Sequence, residues 1–183
     1  MKIRRIVILG LVSASLVLSS CTEDQLTAEP GGSSVTQDQN KDLVEKYPEK
    51  VATLINGIYA SLTSRNLTGS DDHMEFGLPS ILLMTELMGQ DMVQVDRGYN
   101  WFWPMQIFNA IGDNTIYTRY MWRLPYAVVD KCNEVLRTID PETTNDDLKA
   151  YIGQAKAVRA FMYWNLVQMY QHTYKGHESD PAV

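Results

Sequence analysis

Cysteine is nearly missing from this chain: Cys21 and Cys132 are the only two in 183 residues. A disulfide framework therefore does not hold the fold together. Beyond the first twenty residues, clusters of lysine and arginine are missing as well, which argues against nucleic acid as a partner. There is no glycine-rich phosphate loop and no Gly-x-Ser-x-Gly turn, so phosphate-cradling and nucleophile-elbow chemistry have no sequence support. No stretch alternates apolar and polar residues convincingly, which leaves helices as the expected elements. After the first twenty residues no segment has the length and apolarity of a membrane span, about 20 residues. A glycosidase would need two carboxylates across a cleft, and loop acids alone do not supply that pattern. No catalytic residue and no cofactor are expected.

What is present begins with Lys2, Arg4 and Arg5, followed by an uncharged run from Ile6 to Ser20 rich in Ile, Val and Leu. A basic start, a short apolar core and small residues before a cut describe a secretory signal. The run closes Leu18-Ser19-Ser20-Cys21, the form of a lipobox, in which the Cys21 thiol takes a diacylglycerol and becomes the first mature residue. Cys21 is the expected lipid attachment site, holding the protein on a membrane without spanning it. Cys132, left without a partner, is expected to be a small buried residue on a helix. Without Lys2, Arg4 and Arg5, 13 basic residues face 22 acidic ones, a formal charge of −9. Residues 21–43 are poor in apolar side chains and contain Pro30, Gly31 and Gly32, and they read as a flexible tether.

The remainder, 44–183, reads as one helical domain. Val51, Leu54, Ile55, Ile58, Tyr59 and Leu62 predict a helix over 48–63, with Gly57 marking a close helix contact. Pro79 and Gly89 bracket a second helix, apolar over most of its circumference. Residues 90–114 break the pattern. A third helix is predicted over 115–139, bent at Pro125, and a fourth over 146–170, with Thr144 and Asn145 offering caps between them. Two long helices joined by a short turn form an antiparallel hairpin.

Two segments of these helices carry a resemblance. Trp122, Tyr126, Val129 and Asn133 form one motif. Ala155, Arg159, Ala160, Phe161, Tyr163, Trp164, Leu166, Val167 and Tyr170 form the other. With Ile55-Asn56-Gly57-Ile58-Tyr59 and the lipobox, they resemble, in order and spacing, the SusD/RagB family of outer-membrane nutrient-binding lipoproteins. The chain departs from that pattern at Gln171, where the family has glycine, and at Pro125, where it prefers an aliphatic residue. The resemblance covers the family's N-terminal part and implies a truncated SusD-like fold: all-α, TPR-like helical hairpins in an alpha-alpha superhelix. Glu23 and Asp24 resemble the surface-export signal of Bacteroidetes lipoproteins. The implied role is capture of glycans or other nutrients at the cell surface and delivery to a SusC/RagA-type TonB-dependent transporter.

Sugars present flat C–H faces ringed by hydroxyls, so their sites pair aromatic planes with polar side chains. Arg97, Tyr99, Asn100, Trp101 and Trp103 offer that mixture in the irregular region and are the candidate substrate-binding residues. Trp122, Tyr126, Phe161, Tyr163 and Trp164 are expected in the core, and Asn133 and Arg159 as buried hydrogen-bonding groups tying helix ends together. Asp71, Asp72, His73 and Glu75, and His172, His177, Glu178 and Asp180, could ligate a metal, but neither group matches a known spacing and no metal is expected. Two other readings are a helical adaptor that binds protein and a surface hydrolase. The anchor is directly testable. Cys21→Ala should abolish incorporation of radiolabelled fatty acid, and equal label on both proteins would show that Cys21 carries no lipid.

Overall fold

A computed structural model describes residues 35–65 and 73–181. The signal segment, Cys21 and most of the tether lie outside them. The chain divides after Gln39 into two units, and the second, from Asn40 onward, holds the hydrophobic core. Six helices appear among the described residues: α1 Gln37–Lys46, α2 Glu49–Ser61, α3 Leu78–Met88, α4 Trp103–Gln106, α5 Ile116–Thr138 and α6 Asp146–Tyr170. Of these, α1 crosses the boundary between the units. No strand forms among the described residues, and Arg65 and Phe76 make an isolated antiparallel bridge. The fold is all-α. No described helix is long and apolar enough to cross a membrane.

α1 lies partly inside the segment expected to be a tether. Its start is a reciprocal cap: the Gln39 amide donates to Thr36 Oγ1 at 3.2 Å, and the Thr36 amide donates to Gln39 Oε1 at 2.9 Å. That Thr-x-x-Gln box satisfies end groups that the polar composition alone gives no reason to order. Val44 then buries itself in the core.

The core is built on α5 and α6, with α2 lying against both. α5 begins at Thr115, whose hydroxyl accepts from the Thr118 amide. α6 begins at Asn145, whose side-chain oxygen accepts from the amides of Asp147 and Leu148. Both caps satisfy donors that helix geometry leaves open. α5 runs without interruption through Pro125. Leu124, Val128, Cys132, Val135 and Ile139 are fully buried on it, meeting Val51, Ile55 and Ile58 of α2 and Leu148, Ala155 and Met162 of α6. Each of the Val, Leu, Ile and Met side chains contributes about 1.5–3 kcal/mol by leaving water. Cys132 is free and buried as expected, and burial pushes its thiol pKa up despite the opposing Arg159 charge.

The two family-like motifs meet across this hairpin. Arg159 Nη1 donates to Asn133 Oδ1 at 2.8 Å. Trp122 packs edge-on to Tyr170 at 4.9 Å, and Tyr126 edge-on to Tyr163 at 6.3 Å. As position rises along α5 it falls along α6, which is antiparallel register. Asn133 and Arg159 therefore tie the helices to each other as the sequence suggests, but half-buried rather than buried. The core assignment of the aromatics needs correction. Trp122 is 41% exposed and Trp164 56% exposed, and Phe161 is exposed beside it. Tyr126 and Tyr163 are half-buried. These rings seam the hairpin's flank, because the aliphatic and alanine positions of α6 already fill the space facing α5 and α2.

Gly57 has open space where a side chain would stand, so it marks no close contact. The glycine that does is Gly77. Its φ is +91°, and a Cβ there would fall 2.2 Å from the Leu62 carbonyl oxygen. It joins α2 to α3: the Leu78 amide donates to Leu62 O at 2.7 Å, and the Gly77 amide donates to the buried Tyr120 hydroxyl at 2.5 Å. α3 packs chiefly against α4 and leaves Leu82 exposed, so it is less enclosed than its composition predicts. Gly77→Ala combines a left-handed backbone with a backbone clash and should cost about 2–4 kcal/mol. Denaturant unfolding checks this, with Gly57→Ala as a control of neutral or slightly positive effect.

Candidate functional site

The irregular region between α3 and α5 carries the expected substrate-binding residues. Its shape comes from two left-handed positions, Gly98 at φ +74° and Asn100 at φ +52°. Glycine adopts that conformation freely and asparagine tolerates it better than most residues. They flank Tyr99 and throw it outward, so that its side chain is 87% exposed. Trp101, half-buried, lies beside it with ring centroids 6.2 Å apart and planes 26° from parallel. Tyr99 and Trp101 thus form an offset aromatic platform on the surface.

The platform is buttressed from beneath. Tyr117, in the first turn of α5, donates its hydroxyl to the Trp101 carbonyl at 2.8 Å. His73 packs edge-on to the Trp101 ring at 5.0 Å. Phe76 meets Phe102 edge-on at 6.1 Å. The Trp103 amide closes the turn onto Asn100 O at 3.1 Å.

The five expected residues do not all share one role. Tyr99 and Trp101 come together, and Arg97 is exposed on the same loop. Asn100 turns inward: its amide nitrogen donates to Asp96, and its side-chain oxygen is buried without a protein partner. It shapes the loop and has little left to offer a ligand. Trp103 opens α4 and is half-buried. Of the residues weighed as a first metal group, Asp71 and Asp72 lie outside the described residues, His73 serves as a wall for Trp101, and Glu75 is buried.

A second feature escapes sequence reasoning because its walls come from four separate segments. An open groove of about 910 Å³ is lined by Met88, Met105, Phe108, Met121, Trp122 and Tyr170, with Asp113, Arg119 and Arg123 among its polar lining residues. Phe108 reaches it from an unusual backbone. The Phe108 amide donates to Met105 O and the Asn109 amide to Pro104 O, the paired bonds of a Schellman helix end. The left-handed position of that motif usually holds glycine, and here it holds Phe108 at φ +55°. Tyr170 closes one side and donates its hydroxyl to Thr118 O at 2.6 Å. Burial pushes its pKa up to about 12, so the phenol stays a neutral donor across the physiological range.

Residues 33–183 match a SusD-like family, described as starch-binding and associating with the outer membrane. The chain belongs to that family. No curated protein and no solved structure matches it. Membership extends through both hairpin motifs and the platform loop, so starch or glycan binding at the outer membrane is the family-level function within which this geometry is read.

The Tyr117 hydroxyl links α5 to the platform and gives the loop a measurable dependence. Tyr117→Phe should cost about 1 kcal/mol, the usual value of one such bond. It should also speed amide hydrogen exchange in residues 97–103 while α6 stays protected. Unchanged exchange in the loop would show that the ring contacts alone hold it.

Proposed function

We propose that this SusD-like chain is a cell-surface lipoprotein, anchored through lipid on Cys21, that captures glycans and passes them to a SusC/RagA-type TonB-dependent transporter. The observation that carries this reading is the exposed Tyr99–Trp101 pair in a buttressed, non-helical loop. A pyranose ring can lay its C–H face on such a surface while keeping its hydroxyls in water, and the phenol, the indole N–H and Arg97 offer hydrogen bonds at the edge. A loop braced by such contacts loses less entropy on binding than a free one. Binding and delivery, not bond cleavage, are the proposed work.

A second reading has one observation in its favour: the groove beside Phe108 and Met121 is mostly apolar and rich in methionine, a surface that adapts to protein side chains. This is the adaptor alternative, in which the platform is incidental.

Tyr99→Ala and Trp101→Ala should each weaken binding of maltooligosaccharides by about 1–3 kcal/mol. For Tyr99→Ala the thermal midpoint should not move, since that ring is almost wholly in water. Isothermal titration and thermal unfolding on the same preparations separate the cases. Undiminished sugar affinity in both variants would remove the platform from the site. A collapsed midpoint with normal binding by the folded remainder would make these rings structural.

A further inference from the structure

Beyond the platform and the groove, the segment leaving α6 carries His172, His177 and Asp180 within nine residues. Their linear spacing matches no standard ligand pattern, but two turns gather them. The His177 amide donates to Tyr174 O at 2.9 Å across Lys175 and Gly176. Gly176 sits at φ +88°, the value that the third position of a type II turn demands and that glycine supplies without strain. The Asp180 amide then donates to His177 O at 3.1 Å. The first turn lays the His177 ring on the His172 ring, with centroids 4.5 Å apart and planes 22° from parallel. The second brings Asp180 Oδ2 to 2.8 Å from His177 Nδ1. One donor atom from each of the three residues lies within 4.8 Å of the others. Glu178 stays out of the cluster, because its carboxylate accepts from the Gly176 amide at 3.1 Å and helps hold the turn.

We propose that His172, His177 and Asp180 form a binding site for a divalent transition-metal ion of the zinc class, with water completing a four-coordinate shell. Two imidazole nitrogens and one carboxylate oxygen are a donor set suited to zinc, whereas calcium and magnesium favour oxygen throughout. Bonds of about 2.0–2.2 Å place neighbouring ligands roughly 3.3 Å apart in a tetrahedron. The His177–Asp180 pair, at 2.8 Å, already spans an edge close to that length. His172 has to close by at most about 1.5 Å to reach the same spacing. Its side chain is exposed, so this needs a rotation about its own bonds and no opening of the fold. The bound ion ties the turn at 174–177 back to the residues just past α6, fixing the direction in which the chain leaves the hairpin and where exposed Tyr174 sits.

Zinc chloride titrated into the metal-free full chain in detergent, followed by calorimetry and equilibrium dialysis, tests the site. One zinc ion should bind per chain. His172→Ala and His177→Ala should each weaken it at least about tenfold, and Asp180→Asn by about tenfold, the scale on which metal sites respond to lost partners. Circular dichroism should be unchanged in all three, because these side chains lie at the surface. Failure of the wild-type chain to bind zinc stoichiometrically overturns the proposal. So does equal zinc affinity in the wild type and a His172→Ala/His177→Ala double variant.

Discussion

The antiparallel contact between α5 and α6 is the constraint on which the rest of this molecule depends. Its register is set by the Arg159–Asn133 bond toward the C-terminal end of α5, and nearer its start by Tyr126 on Tyr163 and Trp122 on Tyr170. That register places the start of α5 beside the end of α6, where the Tyr170 hydroxyl closes onto the Thr118 carbonyl. The platform loop hangs from the same end through Tyr117, and the groove opens there between Thr118, Trp122 and Tyr170. A slip of one helical turn along α6 would separate Arg159 from Asn133, leaving a half-buried guanidinium without that partner. It would also withdraw Tyr170 from Thr118. The site therefore inherits its position from hairpin register, although no platform residue lies in the hairpin.

Tyrosine hydroxyls do much of the joining at that end. Tyr117 holds the Trp101 carbonyl, Tyr120 takes the Gly77 amide, and Tyr170 holds the Thr118 carbonyl. Each hydroxyl pairs with a backbone group, at Trp101 and Gly77 in segments outside the helices and at Thr118 in the first turn of α5. Burial raises the pKa of Tyr120 and Tyr170, so both stay neutral at physiological pH and the contacts do not loosen as carboxylates titrate. The Tyr117 bond ties the long connection between α3 and α5, which holds a single four-residue helix, to the start of α5.

Much of this was legible in the sequence, for reasons that also explain what was not. Periodicity located α2, α3, α5 and α6, because apolar spacing reports directly on which helix face leaves water. Asn145 announced itself as a cap, and Asn133 and Arg159 as a polar tie. Periodicity could not say that Trp122, Phe161 and Trp164 stand at the flank, since a helical aromatic stripe looks alike on a core face and beside one. Phe161 and Trp164 stack on each other at 5.8 Å, a neighbourly arrangement three residues apart that needs no core. The importance of Gly77 depends on the Leu62 carbonyl, fifteen positions earlier, and no local pattern carries that. The loop's composition suggested aromatic and polar groups, and the fold sorted them. Left-handed geometry turned Asn100 inward and Tyr99 out, a division that follows from φ and not from residue type. The Thr36–Gln39 box is absent from the sequence reading, because it sits in a polar segment whose composition argues for a tether.

The platform and the groove would suit different ligands, and the difference is one of solvation. A sugar hydroxyl moved from water into an apolar groove loses hydrogen bonds that Met88, Met105 and Met121 cannot return, a penalty of a few kcal/mol for each uncompensated group. On Tyr99 and Trp101 the same hydroxyl stays wet while one ring face is covered. Under the proposed function the glycan is therefore assigned to the platform, although the groove is the larger feature and Asp113, Arg119 and Arg123 line part of it. The groove suits apolar side chains, and Phe108 shows that its shape is held against local preference. A left-handed phenylalanine costs about 1–2 kcal/mol relative to an ordinary backbone, at a position where glycine would relieve the strain. Glycine would also remove the ring that forms one wall. The strained residue persists because the helix end fixes its backbone and the groove uses its side chain.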